Sequence, residues 1–324
     1  TTPQLEMLIP HSLLQTNNYE YPTLVLNYSM RKLLIILLLI VGCASKLNTN
    51  PDDIQVITSD IDRFWSTVDN YEGELSVALD KEYIEKGTDG LKDFTSTQII
   101  NAEKLANQYL ADKEYYASIR NNSLLTIETK EDIIKYFKVF KSIYPKAKFP
   151  DIYYLIGRRS SGGTASKNGL LIGAEVHTDF NKYVPTVIHE LMHPNQAEIN
   201  SSWGSPLTQA IHEGGADFIA SLVLGDSIKM NDETYNYGYQ HEEELWREFS
   251  TKMYETGEIG QEEIHKWFYG GQKEGVPTML GYFIGYQITK SYYDKTENKQ
   301  KAIYRILHPY FSKILLKDSG YPNF

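Results

Sequence analysis

The feature that most constrains the fold of this chain is the segment HELMH, which places His189 and His193 four residues apart with Glu190 between them. Side chains at this spacing share a face only on an α-helix, where both imidazoles can reach one metal ion. Pro185 suits the first turn of such a helix, and the apolar residues around the motif are spaced for a buried face. The segment therefore predicts a helix with two zinc ligands, His189 and His193, and with Glu190 beside the water that a catalytic zinc retains.

A third protein ligand is expected, because a catalytic zinc takes three and leaves its fourth position to water. Twenty residues beyond His193, Glu213 falls in an otherwise apolar helical pattern, where an unpaired carboxylate would be costly to bury. Binding a metal would remove that cost. Asp217, one turn later, could accept the other ring proton of a ligand histidine and fix its tautomer. Two alternatives remain: Glu213 could face solvent on a differently phased helix, or His212 could be the ligand instead.

Glycine and proline modify both motif helices. Gly214 and Gly215 are poor helix formers, and close packing against another backbone explains them better than helix propensity does. Pro194 directly follows His193 and disfavours the α conformation there, so the first helix is expected to end or kink at this point. Ligation would survive if His193 occupied the last turn.

Such a site suits the hydrolysis of peptide bonds, with Glu190 taking a proton from the water and passing it to the leaving amine. The tetrahedral intermediate also needs a donor to its negative charge, usually a Tyr or a His. Of the 25 Tyr, Tyr282 and Tyr286 share one helical face in the segment GYFIGY and are the best candidates. They are explained equally well as aromatics packed beside close-approach glycines. His241 is a second candidate, although a surface position also suits it.

The rest of the chain predicts helices and a few strands. Three amphipathic segments predict an N-terminal helical lobe over residues 54–150, and residues 151–324 would form the catalytic region. Two apolar runs, 152–156 and 170–172, predict strands joined as a hairpin or a two-stranded edge. The loop before the second run, 158–164, could gate a cleft or bind a carboxylate, and an ordinary mobile hairpin loop is the simpler interpretation. The expected fold is mainly α with a small β-sheet, an α+β class, with the zinc site between helices.

The N-terminal residues predict export and lipidation. Residues 1–29 lack periodicity and are expected to lie upstream of the true start. Residues 30–42, a short basic stretch and an apolar run, predict a signal peptide, because the run is far shorter than the roughly 20 residues of a spanning helix. Cys43, the only cysteine, ends a segment that resembles a bacterial lipobox, so it is expected to carry a lipid anchor. Residues 43–53 would be the tether to the fold.

The charge of the chain narrows its partners. Lys and Arg number 32 against 42 Asp and Glu, which gives a formal net charge of −10. This balance argues against nucleic acid, whose binding needs a basic surface along the phosphates. The hydrolysis of peptide bonds expected above makes a peptide or protein the expected substrate. The lipid anchor makes a membrane the other expected partner.

The two motifs together resemble those of the gluzincins, zinc metallopeptidases in which E-x-x-x-D follows H-E-x-x-H at about this separation. The resemblance implies a hydrolase with His189, His193 and Glu213 as zinc ligands and Asp217 in support. Gluzincins also bind the substrate backbone along an edge strand ahead of the zinc helix, a position that residues 170–175 would fill.

A wider resemblance covers residues 54–324 and rests on the segments DIDRFW, SGGT, HELMH, HEGGADF and GYFIGY. These are similar to those of a bacterial family of zinc-dependent proteases that includes lipoproteins of Bacteroidota related to the gliding-motility lipoprotein B group. The resemblance implies a lipid-anchored metalloprotease of the bacterial cell envelope. The alternative is a non-catalytic envelope lipoprotein, a binding or a secretion or motility component, that retains a gluzincin fold with or without zinc.

Overall fold

The computed structural model of the protein describes residues 47–198, 204–225, 232–270, 275–322 and 324. Over these residues the chain forms many helices and one small four-stranded sheet. The α+β class expected from the sequence, mainly α with a small sheet, is confirmed. The signal peptide predicted at 30–42 and the lipidation site predicted at Cys43 lie outside the described residues.

Short amphipathic helices occupy much of the stretch between residues 47 and 150. They are α1 (Ser59–Asn70), α2 (Leu75–Ala78), α3 (Asp89–Phe94), α4 (Ala102–Ala111), α5 (Lys113–Leu124) and α6 (Lys130–Ile143), and π-helical turns extend α2 over Leu79–Ile84 and α3 over Thr95–Ile99. In α1, Ile61, Phe64 and Val68 are buried on one face, the spacing that favours a helix lying on a core. That core includes the sheet, because α1 and α3 both contact its central strands.

The sheet combines parallel and antiparallel pairing. Its strands are β1 (Val56–Ile57), β2 (Ile152–Leu155), β3 (Gly163–Ala165) and β4 (Leu170–Gly173), in the spatial order β1-β2-β4-β3. β1, β2 and β4 are parallel, and β3 runs antiparallel to β4. The hairpin expected between runs 152–156 and 170–172 is therefore wrong. The Gly- and Ser-rich segment between them forms a strand of its own, and it is this strand that makes the antiparallel pair.

The edge strand is also different from the one expected. Residues 170–175 were expected to form the free edge, but β4 lies between β2 and β3, and all four of its residues are buried. Its backbone groups pair on both sides, so they are not available to a substrate. The edge on this side is β3, which is partly exposed. An apolar run such as LLIG suits an interior strand, whereas an edge tolerates the small residues of β3.

The remaining helices follow the sheet. They are α7 (Tyr183–Met192), α8 (Pro206–Leu224), α9 (Asp232–Gln240), α10 (Glu242–Phe249), α11 (Gly257–Ile264, extended by a π-helical turn over His265–Tyr269), α12 (Leu280–Lys295), α13 (Lys299–Ile306) and α14 (Ser312–Ser319). Helix α7 contacts β3, β4 and α8, and α8 in turn packs along α12. Ser205 caps α8 by accepting the N–H of Thr208, and Gly225 ends it with a positive φ of 74°.

Two glycines allow α8 and α12 to approach closely. A Cβ at Gly214 would lie 2.3 Å from the carbonyl oxygen of Tyr282, and one at Gly285 would lie 1.7 Å from that of Ala210. Real Cβ atoms do not come so near to backbone atoms, so both positions require glycine. The close packing predicted for Gly214 is confirmed, and it brings Tyr282 next to the helix that carries Glu213.

No helix within the described residues is both long enough and apolar enough to cross a membrane.

Candidate metal centre

Helix α7 and the turn after it place the two histidines of HELMH side by side. His193 follows the last residue of α7 and opens a 3₁₀ turn, yet it keeps helical angles of φ −59° and ψ −47°. The regular helix therefore ends just before Pro194, as expected, but without turning His193 away. The ring centroids of His189 and His193 lie 5.0 Å apart.

Three donor atoms converge on one point. The Nε2 atoms of His189 and His193 are 3.2 Å apart, and they lie 3.5 and 3.6 Å from Oε2 of Glu213. Ligands held tetrahedrally at about 2.0–2.1 Å from a zinc ion lie about 3.3–3.4 Å from one another. The donor set, two imidazoles and one carboxylate, is also one that a catalytic zinc uses. The residues therefore fit a zinc ion in both chemistry and spacing.

The outer nitrogens of both histidines have partners. Nδ1 of His189 lies 2.7 Å from Oδ1 of Asp217, and Nδ1 of His193 lies 2.8 Å from Oε1 of Gln196. Because both partners present oxygen acceptors, each Nδ1 carries a proton, which leaves each Nε2 to bind a metal ion at the centre. Asp217 thus lies where the sequence analysis placed it, and its other oxygen accepts the hydroxyl of Tyr235 at 2.7 Å.

Gln196 and Tyr235 were missed from the sequence. Gln196 follows His193 by three residues, and this spacing around a helical turn was a usable signal. Tyr235 lies on α9, and its contact with Asp217 is long-range, so no local pattern could have indicated it.

Glu213 lies on the buried face of α8, with 8% of its surface exposed, so the alternative in which it faces solvent is excluded. The other alternative ligand, His212, lies beside the site. Its Nδ1 is 3.3 Å from Oε1 of Glu213, and its ring stacks on that of His193 at 4.7 Å. Glu213 is the residue whose Oε2 faces both Nε2 atoms. Gln209, one turn earlier, donates to Oε1 of Glu213 at 3.0 Å.

The centre has a surplus of buried negative charge. Glu190, Glu213 and Asp217 are all buried. Burial raises the pKa of Glu190. Burial opposes ionisation of Glu213 as well, but the histidines, His193 first, hold its pKa well below the usual range. Burial likewise opposes the charged form of His189, yet the carboxylates, Asp217 first, raise its pKa well above the usual value. The site therefore favours positive charge between its imidazoles and carboxylates, which a divalent cation supplies.

Glu190 stands apart from the three-donor set and packs against the edge strand. Its Oε2 is 4.0 Å from Nε2 of His193. A Cβ at Gly163 would lie 2.5 Å from Cγ of Glu190 and 2.8 Å from its Oε1. Gly163 of β3 thus makes room for Glu190, a requirement that the sequence indicated only as a Gly-rich loop.

The two candidate tyrosines on α12 occupy different places. The ring of Tyr282 lies against that of His189, at 6.0 Å and 26° between planes, and Tyr282 lines the cleft over the centre. Tyr286 packs against the rings of Phe218 and Tyr235, with its hydroxyl 3.4 Å from Oγ of Ser221. The residues share a helix face, but one turn of separation carries Tyr286 away from the cleft.

His241, the other candidate donor, is also placed away from the cleft. Its ring stacks on Tyr237 at 4.2 Å, its Nδ1 is 3.7 Å from a carboxylate oxygen of Glu244, and its side chain is 39% exposed. Tyr269, in contrast, lines the cleft and was not considered from the sequence. Its hydroxyl accepts a hydrogen bond from Gln209 at 3.2 Å, which links it to the carboxylate of Glu213.

A cleft of about 720 Å³ opens over the centre. One wall is the loop 160–163 that leads into β3, and another is aromatic, with Phe268, Tyr269 and Tyr282. Burial raises the pKa of both tyrosines, and for each the carboxylate of Glu213 raises it further, so their hydroxyls stay protonated. The floor includes His189 and Glu190.

The fold and the centre together define a class: an α+β protein in which an H-E-x-x-H helix and a second helix offer a buried His₂Glu donor set, beside a glutamate outside that set. A comparison with protein families agrees. Residues 150–308 match the model of a family described as predicted Zn-dependent protease (DUF2268). This stretch contains the centre and the walls of the cleft, and it is shorter than the resemblance expected from the sequence. No curated protein and no solved structure matches the chain.

Proposed function

We propose that this protein is a zinc-dependent peptidase that hydrolyses peptide bonds in the cleft over His189, His193 and Glu213. The observation that carries the proposal is the donor triangle, with sides of 3.2 to 3.6 Å, next to a buried Glu190 that is not part of it. A purely structural zinc site is closed by four protein ligands and has no need of an adjacent carboxylate base. The family match supports the same assignment.

Each residue of the centre has a proposed task. Zinc held by the three donors would polarise the scissile carbonyl and acidify a water molecule. Glu190 accepts a proton from that water and delivers it to the leaving nitrogen. Tyr282 and Tyr269 are the hydroxyls within the cleft that we propose as donors to the developing oxyanion.

The free edge of β3 suits the backbone of an extended substrate. β3 borders the cleft, and Gly163 packs against the proposed base Glu190. A peptide added to this edge as a further strand would pair through backbone groups and would pass beside Glu190. Recognition of this kind uses the main chain of the substrate, which peptides and unfolded protein segments share.

The proposal is tested by metal analysis and by peptide cleavage. The purified protein should contain one zinc per chain, and a library of unstructured peptides should be cleaved by wild type and by Glu244→Gln, an exposed control, but not by Glu190→Gln. All three proteins should retain zinc, because Glu190 is not a ligand. Absence of zinc contradicts the ligand set. Zinc without cleavage in any protein favours the alternative, a non-catalytic binding lipoprotein.

We further propose that the chain is lipid-anchored at Cys43 in the bacterial cell envelope. We also propose that it is related to Bacteroidota lipoproteins of the gliding-motility lipoprotein B group. The support is the basic and apolar stretch 30–42 followed by the only cysteine of the chain. Mass spectrometry of the mature N-terminus should find an acylated Cys43. An unmodified thiol would remove this part of the proposal.

A further inference from the structure

A buried carboxylate outside the metal centre lies just after β4. Glu175 has no exposed surface, and within the described residues its Oε2 has no hydrogen-bond partner. Its other oxygen, Oε1, accepts the backbone N–H of Arg159 at 3.1 Å. A carboxylate held in this way is costly to bury, so the position of Glu175 needs an explanation other than packing.

The carboxylate of Glu175 fills a concavity of backbone N–H groups in the loop 157–161. The N–H groups of both Gly157 and Arg159 are directed at it. Arg159 adopts a left-handed conformation with φ 61°, which bends the chain around the carboxylate. A Cβ at Gly157 would lie 2.9 Å from Oε1 of Glu175, so glycine leaves room for the carboxylate.

The same loop leads into the edge strand of the cleft. The N–H of Gly173 donates to the carbonyl of Gly162 at 3.1 Å, and the hydroxyl of Ser161 donates to the carbonyl of Gly163 at 2.7 Å. Gly163 is the residue that packs against Glu190. A shift of the loop would therefore move the surface on which Glu190 rests.

Glu175 is the carboxylic acid in this region whose pKa lies near neutral pH. His177, whose pKa burial lowers from the ordinary value, faces Gly162 of the neighbouring segment. The titratable groups that face Glu175 are Tyr83 after α2, Tyr115 and Tyr116 of α5, Tyr183 of α7 and Arg159 of the loop. Burial raises the pKa of Glu175 to about 7 and raises the pKa of all four tyrosines, which stay neutral in this range. The guanidinium of Arg159 lies over the ring of Tyr115 and pairs with Asp112 at 2.9 Å.

We propose that Glu175 is a positioning residue of the candidate active site, whose carboxyl group accepts the N–H groups of the loop 157–161 and so holds the loop and, through β3, the place of Glu190. Opening of the loop would let water reach the carboxyl group and return its pKa toward the ordinary value, so the loop loosens as the pH rises and Glu175 loses its proton. The consequence for catalysis rests on the function proposed for Glu190. The contact between Glu175 and the loop does not depend on that function.

Hydrogen exchange of the full chain, read by mass spectrometry and corrected for intrinsic rates, tests directly whether Glu175 holds the loop 157–161. As the pH rises from 5.5 to 8.5, protection of segment 157–165 in wild type should fall about tenfold, because opening of the loop lets water solvate the ionised carboxylate. Glu175→Gln keeps an acceptor without a titrating group, so its protection should be independent of pH and close to that of wild type at pH 5.5. Glu175→Leu removes the acceptor of the Arg159 N–H, so its protection should be lower than that of Glu175→Gln at every pH. Glu114→Gln, an exposed change on α5, should match wild type.

Protection that is the same in wild type and Glu175→Gln at every pH would overturn the proposal. If Glu175→Leu does not fold, the comparison of wild type with Glu175→Gln decides the question alone. Where peptide cleavage is measurable, Glu175→Leu should lower kcat several-fold with zinc content unchanged, and an unchanged kcat would refute the link to Glu190. A complete lack of cleavage in wild type would count against the proposed function, while the exchange data would still decide the hold on the loop.

Discussion

Replacing Glu175 with Gln should stabilise the protein at alkaline pH and leave its stability unchanged in acid. The pKa of Glu175 is about 7 in the fold, against an ordinary 4.5, which corresponds to about 3 kcal/mol of preference for the protonated form. Below pH 4.5 the group is protonated in both the folded and the unfolded chain, so its burial costs little. As the pH rises toward 7, the unfolded chain releases the proton first, and stability is lost. Gln mimics the protonated acid at every pH.

Urea unfolding followed by tryptophan fluorescence, at pH 4.5, 6, 7 and 8.5 with fixed total zinc, measures this effect. The free energy of unfolding of Glu175→Gln minus that of wild type should be near zero at pH 4.5, grow through pH 6 and level off at about 3 kcal/mol above pH 7. The pH dependence of metal binding is common to both proteins and cancels in the difference. Glu114→Gln, whose side chain is exposed, should show no such trend. A difference that is constant across the pH range would refute the reasoning.

Three other substitutions test the geometry of the centre. Gly163→Ala puts a Cβ 2.5 Å from Glu190, so kcat for peptide cleavage should fall at least about tenfold with zinc retained, whereas Gly162→Ala, with its nearest neighbour at 3.8 Å, should change kcat little. Asp217→Asn removes the carboxylate on His189, and competition with a chelator should show a zinc affinity lower by about 10–100-fold; an unchanged affinity would contradict the role of Asp217. Gly214→Ala forces α8 and α12 apart and should lower the free energy of unfolding by about 1–3 kcal/mol or more, and an unaffected stability would show that the helices can separate freely.

The local parts of the centre were readable from the sequence. Two histidines four apart have one simple use on an apolar helix, and a glutamate within an apolar helical pattern is costly unless something binds it. Those arguments led to His189, His193 and Glu213, which lie within 3.6 Å of one another in the structure. They also led to Asp217, because a residue one turn from a ligand shares its helix face. Helical periodicity is a property of the sequence alone, so it can be recognised without knowledge of the rest of the fold.

The features that could not be predicted from the sequence depend on contacts between residues far apart in the chain. The sequence predicts pairing of run 170–172 with run 152–156, and the structure pairs the same two strands, but in parallel and with β3 as the antiparallel partner of β4. Likewise, Tyr282 and Tyr286 are equivalent by helical spacing, and only the position of α12 over the centre distinguishes them. The sequence placed Glu175 at the end of an exposed strand, whereas in the structure the loop carrying Arg159 folds back onto it.

Pro194 ends the regular helix but does not move His193 out of the helical conformation. The residue before a proline avoids the α region, and the regular helix does end at Met192. His193 nevertheless keeps helical angles, because the chain continues as a 3₁₀ turn in which the N–H of Gln196 donates to the carbonyl of His193. The side chain of Gln196 also accepts from the His193 ring. The same glutamine donates to the carbonyl of His212 at 2.7 Å and so ties the end of α7 to α8, the helix of the third donor.

The central claim, that a zinc ion and Glu190 together hydrolyse peptide bonds, is tested most directly by one rate comparison. Wild type and Glu190→Gln, each loaded to one zinc per chain, are given the same unstructured peptide, and the new amino termini are counted over time. The account predicts cleavage by wild type and a loss of at least about 10²-fold in the variant at equal zinc content. Equal rates in the two proteins would contradict it.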